Sequence, residues 1–212
     1  GARQVYYFDK SRMELTNPNG DRSSDWFVTN GLLVRDMIQG AIQTGDKAFQ
    51  PAQPATIPLA GDDTGNANTP TYASLHNLTS LGNGYIVPDR TGQAVDSTLN
   101  KDGTVGKNAA LASTTNDASY DQTTGQNIAG VFWSWMTTQS WQWMYVLGHP
   151  ISEPYWVQTN VKGVNQWVLV QAFERRVLTY TPGNAANWQI EMGNVGRAYY
   201  EWRYGGPPPG SS

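Results

Sequence analysis

Apolar and polar residues alternate in two stretches near the ends of the chain. Residues 4–15 and 167–180 are rich in aromatic and β-branched side chains in partial alternation, which is typical of half-buried strands. Each stretch leads into a turn sequence built around Pro18 or Pro182, after which extended structure is expected to resume. We therefore predict an antiparallel hairpin at each end of the chain.

Helical spacing of apolar residues follows each predicted hairpin. The residues that share one helix face are Leu33, Met37 and Ala41 in the first segment, and Val195, Tyr199 and Trp202 in the second. Gly31 and Gly193 separate these segments from the extended structure before them. We predict a helix that ends near Gly45 in the first segment and a shorter helix in the second.

The two ends of the chain also match residue by residue. The matching residues are Phe8-Asp9-Lys10, Pro18 and Trp26-x-Val28-x-x-Gly31-x-Leu33-x-Arg35 in the first copy, and Phe173-Glu174-Arg175, Pro182 and Trp188-x-Ile190-x-x-Gly193-x-Val195-x-Arg197 in the second. The part from Trp to Arg has identical spacing in both copies. This agreement predicts an internal duplication.

The middle of the chain has a different composition. Prolines, Gly, Asp and Asn dominate residues 50–70, a hairpin turn is predicted at residues 100–103, and residues 106–126 are expected to form a long polar loop. Four tryptophans then fall within residues 131–145, where we predict two short helices, the second ending at Gly148.

These patterns together predict an α+β fold of antiparallel β-hairpins with short helices. We expect one compact domain over residues 1–212, in which two related repeat units flank a loop-rich central insert. Its predicted parts are repeat unit 1 at 4–45, an irregular insert at 46–128, an aromatic helical segment with repeat unit 2 at 129–204, and a Gly/Pro tail at 205–212. The two units are expected to pack together, since one unit alone has little apolar surface to bury.

Composition narrows the class of protein. The chain of 212 residues has 14 Lys and Arg against 17 Asp and Glu, and this balance argues against a nucleic-acid partner. No apolar run is long enough to span a membrane. With no Cys and only two His, the sequence offers no disulfide and almost no ligands for a transition metal, and we predict no cofactor.

Residues 147–202 resemble an LGFP-type repeat of bacterial cell-surface proteins. The residues that carry the resemblance are Leu147-Gly148-His149-Pro150, Ser152-Glu153, Gln171-x-Phe173-Glu174, Tyr180-x-Pro182, Gly193-x-Val195 and Tyr199. Residues 4–40 are similar to the latter half of the same unit and to uncharacterised secreted proteins of filamentous bacteria. The resemblance implies an extracytoplasmic, non-catalytic module associated with cell-wall glycan. We accordingly expect an extracellular location, with any signal peptide already removed from this chain, which begins at Gly1.

Aromatic side chains are the main candidates for ligand or subunit contact. The candidates are Trp133, Trp135, Trp141, Trp143, Tyr155, Trp156 and Trp202. Such rings could stack on sugar rings, or they could form the core of a β-rich protein that has few Leu and Ile. If residues 141–143 are helical, Trp141 and Trp143 cannot both face one core, so one of them is expected to be exposed or in an interface.

Acidic residues give two weaker hypotheses. Paired glutamates in a cleft lined by residues 133–143 would suit a polysaccharide hydrolase, and Glu14, Glu153, Glu174, Glu191 and Glu201 are available for such a pair. Asn17, Asn19, Asp21 and Asp25 have the spacing of some calcium-binding loops but lack the closing Glu. The Asp63-Thr64-Gly65 motif has no second copy, so an aspartic protease is not favoured.

The sequence thus favours a secreted, non-catalytic cell-surface protein. Its predicted role is that of a structural subunit in an extracellular filament or surface layer, a module that binds cell-wall glycan, or both. The expected partners are further copies of the same chain and, for a glycan-binding module, wall glycan; in an assembly the tail and the tryptophans would supply contacts. A secreted polysaccharide hydrolase is the alternative.

Overall fold

Strands outnumber helices in the computed structural model, which describes residues 4–15, 17–24, 26–45, 47–62, 66–82 and 84–209. The strands are β1 (Gln4–Phe8), β2 (Ser11–Leu15), β3 (Thr29–Asn30), β4 (Ala41–Gln43), β5 (Phe49–Pro51), β6 (Ser97–Leu99), β7 (Val105–Lys107), β8 (Asp117–Asp121), β9 (Gln126–Ala129), β10 (Tyr155–Val161), β11 (Val164–Ala172), β12 (Val177–Tyr180) and β13 (Ile190–Met192). The α-helices are α1 (Leu33–Gln39), α2 (Gly130–Thr137), α3 (Trp143–Leu147) and α4 (Val195–Tyr204). The fold is therefore mixed α/β, mostly β-sheet with short helices and antiparallel hairpins, as the hydrophobic pattern predicts.

The largest sheet has six strands in the order β13-β12-β11-β10-β6-β7. Its centre is the long hairpin of β10 and β11, whose two-residue turn is formed by Lys162 and Gly163, both at positive φ. All neighbouring strands are antiparallel except β6 and β10, which run parallel with Trp156 opposite Thr98. The hairpin prediction did not include this parallel pair, which brings the middle of the chain into the sheet.

A hydrophobic core lies on each face of the six-stranded sheet. Tyr155 and Val157 of β10 face the first core, which also contains the buried residues of α1 and α4. Trp156 and Leu169 face the second core, where they pack against Phe132 of α2 and Leu147 of α3. The central strands are therefore covered on both faces, which explains why residues 168–173 are apolar or fully buried without strict alternation.

Two segments of the chain have the same order of strands and helix. We call residues 4–39 the N-terminal unit and residues 164–204 the C-terminal unit. Each contains a hairpin, a short third strand and a helix, formed by β1, β2, β3 and α1 in one and by β11, β12, β13 and α4 in the other. The registers also correspond, because Met13 pairs with Asn30 while Leu178 pairs with Met192. These are equivalent positions in the sequence match.

The two units contact each other reciprocally through their helix starts and hairpin turns. The backbone N–H of Arg35 in α1 donates to the carbonyl of Glu174 in the C-terminal unit, at 3.2 Å. The N–H of Arg197 in α4 donates to the carbonyl of Asp9 in the N-terminal unit, at 3.1 Å. Each helix thus begins at the hairpin turn of the other unit.

Helix lengths differ from the prediction. Helix α1 ends before Gly40, which takes a left-handed conformation with φ of 69°, and Ala41 begins β4 rather than a further helical turn. A Cβ at Gly40 would lie 2.4 Å from the carbonyl oxygen of Ala52, so the chain that returns along β5 requires glycine there. Helix α4 has ten residues and is longer than α1, not shorter as predicted.

The middle of the chain is more regular than predicted. The turn at residues 100–103 does join β6 to β7, and the helices α2 and α3 are separated as expected, with Gly148 capping α3. Residues 106–126 are not a featureless loop, however, because β8 pairs with β9 in a hairpin within and just beyond them. Residues 63–65, which hold the Asp-Thr-Gly motif, and residues 210–212 of the tail lie outside the described residues.

Candidate functional site

The four tryptophans of residues 133–143 lie together over the second core. We call them the aromatic cluster; its members are Trp133, Trp135, Trp141 and Trp143. They form two edge-to-face pairs, with ring centroids 5.9 Å apart for Trp133 and Trp143 and 5.7 Å apart for Trp135 and Trp141. All four are half-buried, and α3 begins only at Trp143, so Trp141 and Trp143 do not share a helix. Both therefore reach the same core, and neither has to be fully exposed.

Three further candidates from the sequence lie in the interior or at its rim. Tyr155 and Trp156 are almost completely buried, so the prediction that they contact a ligand or subunit is wrong. As neighbours on a strand they point to opposite faces of a sheet that is covered on both sides. The Trp156 indole also donates to the Val95 carbonyl at 2.8 Å. Trp202 is half-buried against the first core, and its indole donates to the Gln53 carbonyl at 2.9 Å.

The calcium hypothesis gains no support from the loop after β2. The carboxamide oxygen of Asn17 accepts from the N–H of Asn19 at 3.1 Å, and Asp21 accepts from the N–H and hydroxyl of Ser23 at 2.9 and 2.6 Å. These bonds form local turns and hold the pKa of Asp21 below its usual value. Asp25 lies outside the described residues. In the described ranges no three His, Cys, Asp or Glu side chains form a group that could hold a metal ion.

Two of the candidate glutamates are buried beside arginines. Glu14 contacts Arg12, and Glu153 contacts Arg90, in separate parts of the molecule. Glu153 also accepts from the backbone N–H of Asn127 at 2.6 Å, which ties β9 to the start of β10. Burial raises the pKa of Asp117, which lies 3.6 Å from Arg90, to about 6. Glu14 and Glu153 are therefore paired with arginines in the interior, and neither lines one of the two grooves described below.

A groove beside α4 contains two of the remaining glutamates. Glu191 and Glu201 line it together with Lys10 and Arg197, and its volume is about 510 Å³. Glu201 is paired with Arg197 at 3.1 Å, one helical turn away. The lining contains no tryptophan, so this groove is not the aromatic cleft that the hydrolase hypothesis assumed.

The two histidines have separate partners. His149 Nδ1 lies 2.8 Å from a carboxylate oxygen of Asp121, at the contact between the turn after α3 and β8. His76 Nδ1 lies 2.9 Å from the Ile38 carbonyl. The first contact combines charge with hydrogen bonding only when the imidazole is protonated, and both contacts fix loops in place.

A second groove joins an aromatic ring to several carboxamides. We call it the Trp167 groove; its volume is about 390 Å³ and it is lined by Ala67, Asn68, Thr69, Pro70, Leu99, Asn100, Lys101, Gln158, Asn160, Asn165 and Trp167. Strand register explains the arrangement. Gln158 pairs with Trp167 and Asn160 with Asn165, so all four side chains share the face of β10 and β11 that the second core occupies further along. Where the core ends, that face becomes polar.

Loops from two other regions close the sides of the Trp167 groove. The side chain of Asn66 accepts from the N–H of Asn160 and from the hydroxyl of Thr159, at 2.8 and 2.7 Å, and so fixes residues 66–70 against β10. Lys101, in the turn between β6 and β7, donates to the Ala67 carbonyl from the opposite side. The groove is therefore built from four parts of the chain, and its walls are joined by hydrogen bonds.

Several polar groups in the Trp167 groove remain available to a ligand. Among the described residues, the carboxamides of Asn68, Gln158, Asn160 and Asn165 make no side-chain hydrogen bond with another part of the protein. Each carboxamide offers both donors and an acceptor. Trp167 is half-buried, packed against the second core on one side and lining the groove on the other. Together these groups could hold a neutral, hydroxyl-rich ligand against a flat ring.

Trp167 was not among the candidate residues that the sequence indicated. A signal was present, because Asn165, Trp167 and Leu169 alternate along one strand face and pass from polar to apolar. The contribution of residues 66–70 and 99–101 left no such signal, since it depends on the pairing of β6 with β10. Among the described residues no helix is long and apolar enough to cross a membrane.

Comparisons with protein-family models, with curated proteins and with solved structures gave no match to this chain. The resemblance of residues 147–202 to an LGFP-type repeat therefore stays a prediction.

Proposed function

We propose that this protein is a non-catalytic, extracellular module that binds polysaccharide in the Trp167 groove. The observation that supports it is the combination of one accessible indole face with four carboxamides that have free hydrogen-bonding capacity. Sugar rings present C–H faces that pack on an indole and hydroxyls that exchange hydrogen bonds with carboxamides. A neutral glycan suits the groove, because Lys101 is the one charged residue among the described residues of its lining.

The cell-surface location is part of the same proposal. It is supported by the resemblance of residues 147–202 to a wall-associated repeat and by a surface rich in Asn, Gln, Ser and Thr. We also infer that the two units arose by duplication. The equivalent strand registers and the reciprocal contacts of Arg35 and Arg197 support this inference.

The test is binding of the purified protein to a panel of neutral polysaccharides and wall-derived oligosaccharides, measured by affinity electrophoresis and calorimetry. Asn165→Ala and Gln158→Ala remove exposed carboxamides from the groove without creating a cavity in either core. We expect each to weaken binding by roughly three- to tenfold. Trp167→Ala should weaken it by at least about tenfold. The thermal unfolding of each variant is recorded alongside.

Trp188→Ala is the matched control for loss of an indole. Trp188 is 64% exposed and lies outside the groove lining, so its removal should leave polysaccharide binding unchanged. Equal losses for Trp188→Ala and Trp167→Ala would reject the groove as the site. Failure of the wild-type protein to bind any member of the panel would reject the proposed function.

The polysaccharide hydrolase remains the alternative, and its best location is the groove of Glu191 and Glu201. Both residues line one groove of about 510 Å³, and glycoside hydrolysis requires two carboxylates about 5–9.5 Å apart. Glu191→Gln and Glu201→Gln would abolish the release of reducing sugar if this alternative holds. Release of sugar by the wild-type protein that both variants lack would favour the hydrolase over the binding module.

A further inference from the structure

The open edge of β1 distinguishes the N-terminal unit from the C-terminal unit. The equivalent strand in the C-terminal unit is β11, which pairs with β12 on one side and with β10 on the other. Strand β1 pairs with β2 only and is the edge of its three-stranded sheet. The same hairpin thus has a neighbouring strand in one unit and none, among the described residues, in the other.

Backbone groups along this edge point away from the sheet. Because Phe8 and Ser11 close a two-residue hairpin turn, Gln4, Tyr6 and Phe8 bond to β2, while the N–H and C=O groups of Val5 and Tyr7 are directed outward. The equivalent outward carbonyl in the C-terminal unit, that of Ala172, accepts from the N–H of Ile151 at 2.9 Å. No such partner of Val5 or Tyr7 is present in the described part of the chain.

Strand β1 also lacks the features that keep an edge strand from pairing. Its sequence, Gln-Val-Tyr-Tyr-Phe, contains no charge, no proline and no bulge. The side chains of Val5, Tyr6 and Phe8 are 39%, 50% and 56% exposed. An uncharged, β-prone strand with apolar side chains in solvent favours addition of another strand.

We propose that β1 is a self-association surface, at which a second copy of this chain pairs its own β1 in antiparallel orientation across a two-fold axis. The outward backbone groups of Val5 and Tyr7 determine the register in which the two β1 strands pair. With Tyr6 opposite Tyr6 of the partner subunit, Val5 and Tyr7 of each chain meet as hydrogen-bonded pairs, and four backbone hydrogen bonds form. Because β1 carries no charge, this register places no like charges opposite each other.

The proposal does not depend on polysaccharide binding. The Trp167 groove is formed by residues from β6, β10, β11 and the loop at 66–70, and none of its lining residues belongs to the N-terminal unit. A failure of either proposal therefore leaves the other standing. If both hold, the dimer would present two polysaccharide sites.

The experiment is a charge exchange at position 6, read by light scattering and sedimentation velocity of the full chain over a range of concentrations. Tyr6→Lys and Tyr6→Glu each place like charges opposite each other at the two-fold axis, and each should raise the dimer dissociation constant by at least about tenfold. An equimolar mixture of the two variants should restore a dimer, since lysine then faces glutamate. The side chain at position 6 is exposed, so neither variant should unfold the monomer.

Val164→Lys is the matched control. Val164 is 61% exposed at the start of β11, far along the chain from β1, and its replacement adds the same charge without changing the proposed interface. Dimers formed by this variant as by wild type, together with protection of the Val5 and Tyr7 amides from hydrogen exchange in both proteins but not in Tyr6→Lys, would support the proposal. A wild-type protein that stays monomeric at high concentration, or Tyr6→Lys that associates as wild type does, would overturn it.

Discussion

The N-terminal and C-terminal units share a strand register but are covered differently. In the C-terminal unit, the sheet is buried on both faces, with Leu169 and Leu178 in one core and Val170 and Val177 in the other. In the N-terminal unit the tyrosines of α4 pack on Tyr7 on one face, whereas the opposite face of β1 is exposed. The comparison teaches that the hairpin-strand-helix arrangement does not by itself require a core on both sides.

The side chains at equivalent positions of β2 and β12 also differ in chemical type. Where β12 has Val177 and Thr179, β2 has Arg12 and Glu14, which form a buried ion pair. The Arg12 guanidinium lies 4.9 Å from the centre of the Tyr199 ring in α4 and bonds to Gln43 at 3.1 Å. The N-terminal unit thus holds its covering helix with charge, hydrogen bonds and ring contacts, where the C-terminal unit uses aliphatic packing.

The largest effect is expected from breaking that ion pair. Arg12→Val introduces the C-terminal unit's residue but leaves Glu14 buried without its arginine, and we expect a loss of about 3–5 kcal/mol in the free energy of unfolding. Chemical denaturation at neutral pH measures it. The double variant Arg12→Val/Glu14→Thr should recover a large part of the loss, to within about 2 kcal/mol of wild type.

Equal instability of the single and double variants would contradict this interpretation. It would mean that the volume of Arg12 and its contact with Tyr199, rather than the loss of the arginine beside the Glu14 carboxylate, determine the cost. Val177→Ala is a useful comparison in the other unit, because it removes aliphatic packing alone from the equivalent position.

A close approach between the units gives the next largest effect. A Cβ at Gly196 in α4 would lie 1.9 Å from the Phe8 carbonyl oxygen and 2.6 Å from that of Ser11. The equivalent residue of α1 is Val34, whose side chain is buried in the first core. We expect Gly196→Ala to lower the free energy of unfolding by about 2–3 kcal/mol, although alanine is the better helix former.

Gly193→Ala is the control for this substitution. The nearest atoms to a Cβ at Gly193 are 3.7 Å away, so alanine fits there. We expect a change of less than about 1 kcal/mol, measured by the same denaturation. If both alanine variants were equally stable, the two-residue turn at Asp9 and Lys10 would have to be free to shift away from α4.

Sequence patterns predicted the hairpins of the two units and missed the elements that depend on contacts between distant segments of the chain. The hairpins at residues 4–15 and 167–180 were evident because aromatic and β-branched residues alternate there. The hairpin of β8 and β9 was missed because side-chain hydrogen bonds hold it, including that of Tyr120 to the Val87 carbonyl at 2.9 Å, and these leave no apolar period.

The candidate site was predictable only in part, for the same reason. The aromatic cluster is local in sequence and was found, whereas burial of Trp156 depends on β6 and α2 reaching β10 from elsewhere. The Trp167 groove requires Asn66 to fix a distant loop on Asn160. Spacing along the chain contains no information on such contacts between remote segments.

A pH-dependent difference is expected between the two helices. Asp36 of α1 is buried where α4 has Ala198, and burial raises its pKa to about 6, against the opposing charges of Arg35 and Arg12. Since the unfolded pKa is about 3.9, the protonated acid favours the folded state. This contribution is present below about pH 4 and is lost as the pH rises through about 6.

Asp36→Asn removes that titration and keeps a group able to accept from the Tyr199 hydroxyl, 3.4 Å away. We expect the stability of the variant relative to wild type to rise by about 1–2 kcal/mol between pH 4 and pH 7. Urea denaturation of both proteins across this range measures it, and Asp117, which titrates in the same range, contributes equally to both. A relative stability that does not change with pH would show that Asp36 is ionised throughout.

The smallest effect concerns the tryptophans that occupy equivalent positions in the two units. Trp26 and Trp188 are 65% and 64% exposed, so burial alone predicts equal and small losses on replacement by alanine. The Trp26 ring lies 5.8 Å from the ring of Tyr145, which joins the N-terminal unit to α3, whereas Trp188 makes no ring contact among the described residues. We expect Trp26→Ala to cost about 1 kcal/mol and Trp188→Ala less than about 0.5 kcal/mol in thermal or chemical unfolding.

Addition of Tyr145→Ala should cost less in the Trp26→Ala background than in wild type, since the ring pair is already absent there. Equal costs in both backgrounds would mean that the ring pair contributes nothing and that the two units hold this position in the same way.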